Sequence, residues 1–280
     1  MIRTSFVLTI IAAAVACSAH AQTAAGIRSV DFKNFTYSPF CAGDKPERVT
    51  VKNGEYSYEK QEADYVDRMF FQVFSINYGD ATGDGKDEAV VLTVCSTGGT
   101  GNFSEGFVYT MRAGKPVLLA RIPGGDRGYG GLRGAGVQDG LIVVDSNDVG
   151  DTGAACCPDF IVTTRYRLQG GKLVRSGQAE RRPIYPAQRV TFARGASGAT
   201  LRLLLPAGEG KRLIVGARAG QILSVSTDSE SVDLRLLEDA QITQDVGGFS
   251  ARLPKSGDYT IQLSNFESRP LPVTVNIKIR

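Results

Sequence analysis

The sequence predicts an all-β protein: an antiparallel β-rich N-terminal domain followed by a C-terminal β-sandwich of jelly-roll type. Short apolar or alternating runs recur along the chain with turn residues between them. Glycines sit at the connections, as at Gly54, Gly114, Gly140 and Gly170-Gly171, where hairpins favour them. One segment alone, Lys60 to Arg68, suits a short helix.

The chain opens with an export signal. Met1-Ile2-Arg3 is a short positive region, Phe6 to Ala16 is an apolar run, and Ala19-His20-Ala21 is a small-residue cleavage site before Gln22. The apolar run is too short to span a bilayer. Residues 1–21 are therefore read as a signal peptide, and acylation at Cys17 is the alternative, although Ala14-Val15-Ala16-Cys17 lacks the usual lipobox leucine. The expected location is periplasmic or secreted.

Cleavage removes His20, the one histidine of the chain, which excludes Ser-His-Asp and Cys-His nucleophilic sites and histidine-bound metals from the mature protein. Without Arg3, 31 of the 32 basic residues stand against 29 acidic ones. No basic stripe or polybasic patch is visible, so neither nucleic acid nor a membrane surface is an expected partner. Four cysteines remain: Cys41, Cys95, Cys156 and Cys157. An even number in an exported chain predicts two disulfides. Adjacent cysteines rarely bond to each other, so Cys156 and Cys157 are each expected to reach one of the distant two, in a pairing the sequence leaves open.

A mature chain of this length allows one large or two ordinary domains, because single cores stop growing near roughly 250 residues. All four cysteines and the densest glycine clusters precede residue 180, and Glu180-Arg181-Arg182-Pro183-Ile184-Tyr185-Pro186 looks like a linker. The expected domains are 22–182 and 183–280. Strands of the first are read at Arg48 to Val51, Glu55 to Tyr58, Phe70 to Tyr78, Glu88 to Cys95, Gly106 to Arg112, Val117 to Ile122, Leu141 to Asp145, Ile161 to Leu168 and Lys172 to Val174.

Its centre is Tyr78 to Cys95, an acidic glycine turn followed by an apolar run from Ala89 broken only by Thr93. Asp80-Ala81-Thr82-Gly83-Asp84-Gly85-Lys86-Asp87-Glu88 resembles the calcium loop of FG-GAP repeats, in one copy, within a motif similar to that of uncharacterised exported bacterial proteins. The resemblance implies a structural calcium ion on Asp80, Thr82, Asp84, the Lys86 carbonyl and Glu88. Thr82 departs from the family's Asn or Asp, and Val91 stands where an EF-hand places its bidentate glutamate. The alternative is a polar hairpin turn whose aspartates cap backbone amides.

Two glycine-rich loops, Ser96 to Asn102 and Gly124 to Gly131, lack the Gly-Lys-Ser/Thr ending of a phosphate-binding loop. Asp126, Arg127 and Tyr129 on the second are a mixture suited to sugars or peptides. Carboxylate pairs such as Asp80 with Asp84, or Asp145 with Asp148 and Asp151, could serve glycoside hydrolysis; the second set also reads as a polar loop or a weak calcium site.

Eight strands are expected in the second domain: Gln188 to Phe192, Thr200 to Leu205, Arg212 to Ala217, Gln221 to Ser226, Ser231 to Leu237, Gly248 to Leu253, Asp258 to Leu263 and Pro272 to Lys278. Three segments, Arg189-Val190-Thr191-Phe192 with Gly195, Ala217-Arg218-Ala219-Gly220-Gln221, and Leu253 to Ile261, together resemble bacterial pre-peptidase C-terminal domains and the β-sandwich inhibitors of invertebrate-type and goose-type lysozymes. The resemblance implies that Ser256, Gly257 and Tyr259, the Ser-Gly-x-Tyr loop, enter an enzyme cleft, with both hydroxyls meeting catalytic carboxylates. The alternative is that Gly257 makes a turn and the Tyr259 ring enters the core. The domain's 12 basic against 9 acidic residues disfavour a basic partner.

These features point to a non-enzymatic binding protein of the cell envelope, with a protein or glycan partner. Lysozyme inhibition through Ser256 to Tyr259 and a carboxylate-based glycoside hydrolase are the alternatives.

Overall fold

The computed structural model describes residues 26–41, 43, 45, 47–150 and 153–280. The expected export signal, with Cys17 and His20, lies outside them, as does Asp151. A 3-10 turn at Ile27–Ser29 precedes β1 (Thr36–Tyr37) and β2 (Val49–Thr50), which pair with each other. An antiparallel meander follows, made of β3 (Glu55–Gln61), β4 (Val66–Gly79), β5 (Glu88–Ser96), β6 (Phe103–Arg112) and β7 (Lys115–Ile122). Next come β8 (Leu132–Gln138), β9 (Leu141–Asp148), β10 (Phe160–Gln169) and β11 (Lys172–Arg175), again antiparallel neighbours, and β12 (Glu180–Pro183) pairs with the first half of β10.

The remaining strands are β13 (Ala187–Arg189), β14 (Gly198–Leu205), β15 (Gly210–Ala217), β16 (Ile222–Thr227), β17 (Val232–Leu236), β18 (Gln241–Asp245), β19 (Gly248–Arg252), β20 (Gly257–Asn265) and β21 (Leu271–Ile279). They form two sheets, ordered β13-β15-β20-β17 and β14-β21-β16-β19-β18. From β14 to β17 consecutive strands alternate between the sheets, and the chain returns through β19, β20 and β21 in the same alternation. This interleaving is the jelly-roll pattern that the sequence predicts. One core fills the gap, built from alternate residues such as Val273, Val275, Ile277 and Ile279 of β21 and Tyr259, Ile261 and Leu263 of β20.

The apolar run from Ala89 is explained by the position of β5. It is the middle strand of its sheet, and both its faces are covered. Ala89, Val91 and Cys95 pack with Phe32, Tyr37, Phe71 and Phe107 on one side, while Val90 and Leu92 meet Ile122, Leu132 and Ile142 on the other. A strand buried twice cannot alternate with polar residues. Thr93 survives there because its hydroxyl donates to the Glu105 carbonyl.

Three expectations are corrected. Lys60 to Arg68 is no helix: it is a hairpin end in which Gln61 pairs with Val66 and the Glu62 amide donates to Tyr65 O. Cross-strand pairing with β4 outweighs a weak local helical preference. The expected linker is ordered, since Glu180–Pro183 is β12 and Ile184 is buried with its amide on Asp159 O. The chain passes to the sandwich sheets between Pro183 and Ala187. Finally, the cysteines do not pair as expected. Cys41 bonds to Cys95, while Cys156 and Cys157 are free. The Pro39–Cys41 segment is held beside the end of β5, where Phe40 N donates to Glu105, whereas the Cys156-Cys157 turn belongs to the other sheet, between β9 and β10.

Candidate functional site

The end of the sandwich at which β15 finishes and β20 begins gathers all three segments that carry the family resemblance. Ala217 lies opposite Gly257, and Ile222 lies opposite Arg252. The connection Leu253 to Ser256 is held by short bonds. Leu253 is buried; its amide donates to Gln221 O, and its carbonyl accepts from Gly220 N. Ser256 Oγ accepts from Ala219 N at 3.0 Å. Both terminal nitrogens of the Arg189 guanidinium donate to the Asp258 carboxylate, which this pairing holds below the usual carboxylate range.

Tyr259 closes the loop from beneath. Its ring is fully buried in the sandwich core, and its hydroxyl donates to Lys255 O at 2.7 Å. Of the three expected contact residues, Ser256 and Gly257 are exposed and Tyr259 is not. The tyrosine hydroxyl is turned to the loop's own backbone. The exposed surface is Lys255 to Asp258.

Around it stand exposed cations from separate strands and loops: Arg218 after β15, Arg252 at the end of β19 and Arg280 after β21. None of these, nor Lys255, has a carboxylate partner within ion-pair distance among the described residues. Sequence reasoning missed this rim and the Arg189–Asp258 clamp. The surplus of basic residues was visible in the sequence, but their convergence depends on strand pairing across intervals as long as the 69 residues between Arg189 and Asp258.

Between β4 and β5 the acidic turn is self-contained. Asp80 accepts from the amides of Gly83, Asp84 and Gly85, which hold its carboxyl below the usual range, Gly85 most strongly. Gly83 and Gly85 both have φ near +79°, which the turn requires and side chains resist. Asp84 accepts from Lys86 N. Glu88 is buried under the turn, where one carboxylate oxygen takes the Ala81 and Thr82 amides and the other takes the Thr110 hydroxyl. No group of three or more His, Cys, Asp or Glu among the described residues is arranged to hold a metal. Asp80, Asp84 and Glu88 thus spend carboxylate oxygens on the turn's own amides, the arrangement of the capping alternative. The expected outcome is an equal melting temperature in calcium and in chelator.

The two carboxylates also predict opposite pH dependence. Burial pushes the Glu88 pKa up, so the folded state holds its proton longer than the unfolded chain, and this contribution to stability falls as pH rises through the raised value. The lowered Asp80 pKa acts the other way, and its contribution is lost as pH falls through the folded value. Glu88→Gln keeps an acceptor for the amides and a donor for Thr110. It is expected to melt higher than the parent near neutral pH, with the gap closing in acid, as followed by thermal unfolding across pH.

The two glycine-rich loops do meet. Asn102 N donates to Asp126, Arg127 pairs with the same carboxylate, and Ser104 N donates to Gly125 O. Asp126 and Arg127 are thereby engaged, and Tyr129 remains exposed. Beside them lies a pocket of about 300 Å³ lined by Phe40, the Cys41–Cys95 bridge, Phe103, Glu105 and Arg121. Glu105 and Arg121 pair with each other and hold Phe40 N and Ser38 O. The other acids are scattered. Asp145 accepts from Thr163 and Asp148 from Gly150 N and Arg181. Three apart on β9, they point to opposite faces.

No helix among the described residues is long and apolar enough to cross a membrane. No family model matches the sequence, and no curated protein matches it significantly. Solved structures that resemble the chain include three periplasmic inhibitors of g-type lysozyme. PliG of Aeromonas hydrophila is 21% identical over 34% of this chain and 98% of its own, with a TM-score of 0.31. A PliG mutant from Escherichia coli is 20% identical over 34% and 99%, with a TM-score of 0.30. PliG of Salmonella Typhimurium is 21% identical over 34% and 98%, also at 0.30.

Proposed function

We propose that this chain is an exported, non-enzymatic binding protein of the cell envelope that engages its partner with the clamped end of its C-terminal sandwich, centred on Lys255 to Asp258. One observation carries this: the loop is exposed at its tip yet fixed through Ser256, Asp258 and the Tyr259 hydroxyl. A loop already ordered loses little entropy on binding. Its cationic rim favours an anionic surface, through steering that weakens as salt rises. The Cys41–Cys95 bond supports an oxidising compartment.

The finer reading is inhibition of a lysozyme. A glycoside hydrolase cleft carries two carboxylates, and a rigid tip rimmed by Lys255, Arg218 and Arg252 is complementary to such a cleft even if the enzyme's outer surface is basic. The test is residual activity of g-type, invertebrate-type and chicken-type lysozymes on cell walls, titrated with the purified mature protein. Stoichiometric inhibition of one class is expected. The double variant Lys255→Glu, Arg218→Glu is expected to weaken it by roughly tenfold or more at unchanged melting temperature. If no class is inhibited at micromolar protein, the lysozyme reading ends. Sedimentation with purified cell-wall sacculi, at low and high salt, then decides whether the broader envelope reading survives.

A further inference from the structure

Among the described residues Cys156 and Cys157 are the two cysteines left without a bond, and nothing in the proposed binding surface uses them. Both are exposed. They occupy a tight turn closed by Cys157 N donating to Ala154 O at 2.9 Å. The neighbouring Cys156 thiol holds the Cys157 thiol above its ordinary pKa. The turn is anchored to the second glycine-rich loop: Ala155 O accepts from Gly128 N at 2.8 Å, and a side chain at Gly128 would run into that same carbonyl and into Val149.

A compartment that oxidises Cys41 and Cys95 oxidises exposed thiols too. With Cys41 and Cys95 bonded to each other, the neighbours at 156 and 157 have only one another among the described residues. Their mutual proximity also far exceeds the concentration of any second molecule. A ring closed between adjacent residues is a different object from the Cys41–Cys95 bond. Adjacent α-carbons are about 3.8 Å apart, below the range of roughly 4.4–6.8 Å that disulfides favour, whereas Cys41 and Cys95 are 5.4 Å apart. Strained, exposed disulfides are the easily reduced ones.

We propose that Cys156 and Cys157 form a reversible vicinal dithiol–disulfide couple, a two-electron redox site whose reaction partner is a small or protein disulfide. One thiolate attacks the partner's disulfide, forming a mixed disulfide and expelling the first partner thiolate. The neighbouring thiolate then attacks the mixed bond, closes the ring and releases the second. Two electrons pass to the partner, and the two thiol protons end on its two released sulfurs. Reduction by a dithiol runs the same steps backwards.

The experiment equilibrates the mature protein in glutathione buffers of graded poise, quenches with an alkylating reagent, and maps adducts by intact and peptide mass. Expected at an intermediate poise is a monomer with Cys41–Cys95 intact and both Cys156 and Cys157 alkylated. At a more oxidising poise the same peptide should lose two hydrogens and take no adduct. The vicinal bond is expected to reduce at a glutathione ratio at least about tenfold more oxidising than the Cys41–Cys95 bond. Cys157→Ser should instead accumulate a glutathione adduct on Cys156. Two alkylated thiols at every poise, or oxidation only to glutathione adducts or linked dimers in the parent protein, would overturn the proposal.

Discussion

Tyr259→Ala is expected to cost roughly 3–5 kcal/mol of stability, as truncation of a fully buried aromatic does. The ring is buried among Leu213, Leu223, Ile261 and other core residues of both sheets, and none of it reaches solvent. For a sandwich of this size such a loss lowers the melting temperature by on the order of 20 °C. Loss of partner binding in this variant would therefore report unfolding, not contact. Tyr259→Phe is the informative change. It keeps the ring and removes only the hydroxyl that holds Lys255 O, at about 1 kcal/mol. The expected result is a small drop in melting temperature with a measurable loss of affinity, because the loop is no longer held ready. If Tyr259→Phe binds as the parent does while Lys255→Glu does not, the hydroxyl clamp plays no part and only the charged rim matters.

Loss of the Cys41–Cys95 bond, by Cys41→Ala with Cys95→Ala, is expected to cost about 4 kcal/mol. The two residues are 54 apart in sequence, and chain-entropy arguments give that magnitude for a loop of this length. The bridge ties the segment before β2 to the end of β5, so its removal should loosen the cover that Phe32, Tyr37 and Val49 provide over the central sheet. Denaturant unfolding of oxidised parent and double variant measures the difference directly. Cys156→Ser and Cys157→Ser, both on an exposed turn, are expected to stay within about 0.5 kcal/mol of the parent. Equal stability of the bridged and unbridged proteins would mean that packing alone holds the N-terminal segment in place.

The strands were largely legible because the cores they build are written in alternating or continuous apolar residues. Those missed are instructive. Leu132–Gln138 reads Leu-Arg-Gly-Ala-Gly-Val-Gln, too rich in glycine to look like a strand, yet it pairs with β9 and places Leu132 and Ala135 in the core. Gln241–Asp245 is exposed throughout and joins the sheet edge only through β19. Neither has a local signal of its own, since backbone pairing with a strong neighbour supplies the stability. Asp145 to Asp148 looked like a loop for the opposite reason: its polar residues sit in a strand because Thr163, Gly150 and Arg181 satisfy their side chains.

By itself the sequence determined that the chain is all β, that the acidic turn leads into a buried strand, and that a jelly-roll sandwich follows in the C-terminal third. These follow from residue periodicity and from glycine's φ freedom, which act over a few neighbours. Only the tertiary structure decided that Cys41 meets Cys95, that Tyr259 faces inward, that Arg189 locks Asp258, and that Arg218, Arg252, Lys255 and Arg280 share one end. Each of these joins residues brought near by strand order and sheet packing, and such contacts are set by the collective burial of two whole faces.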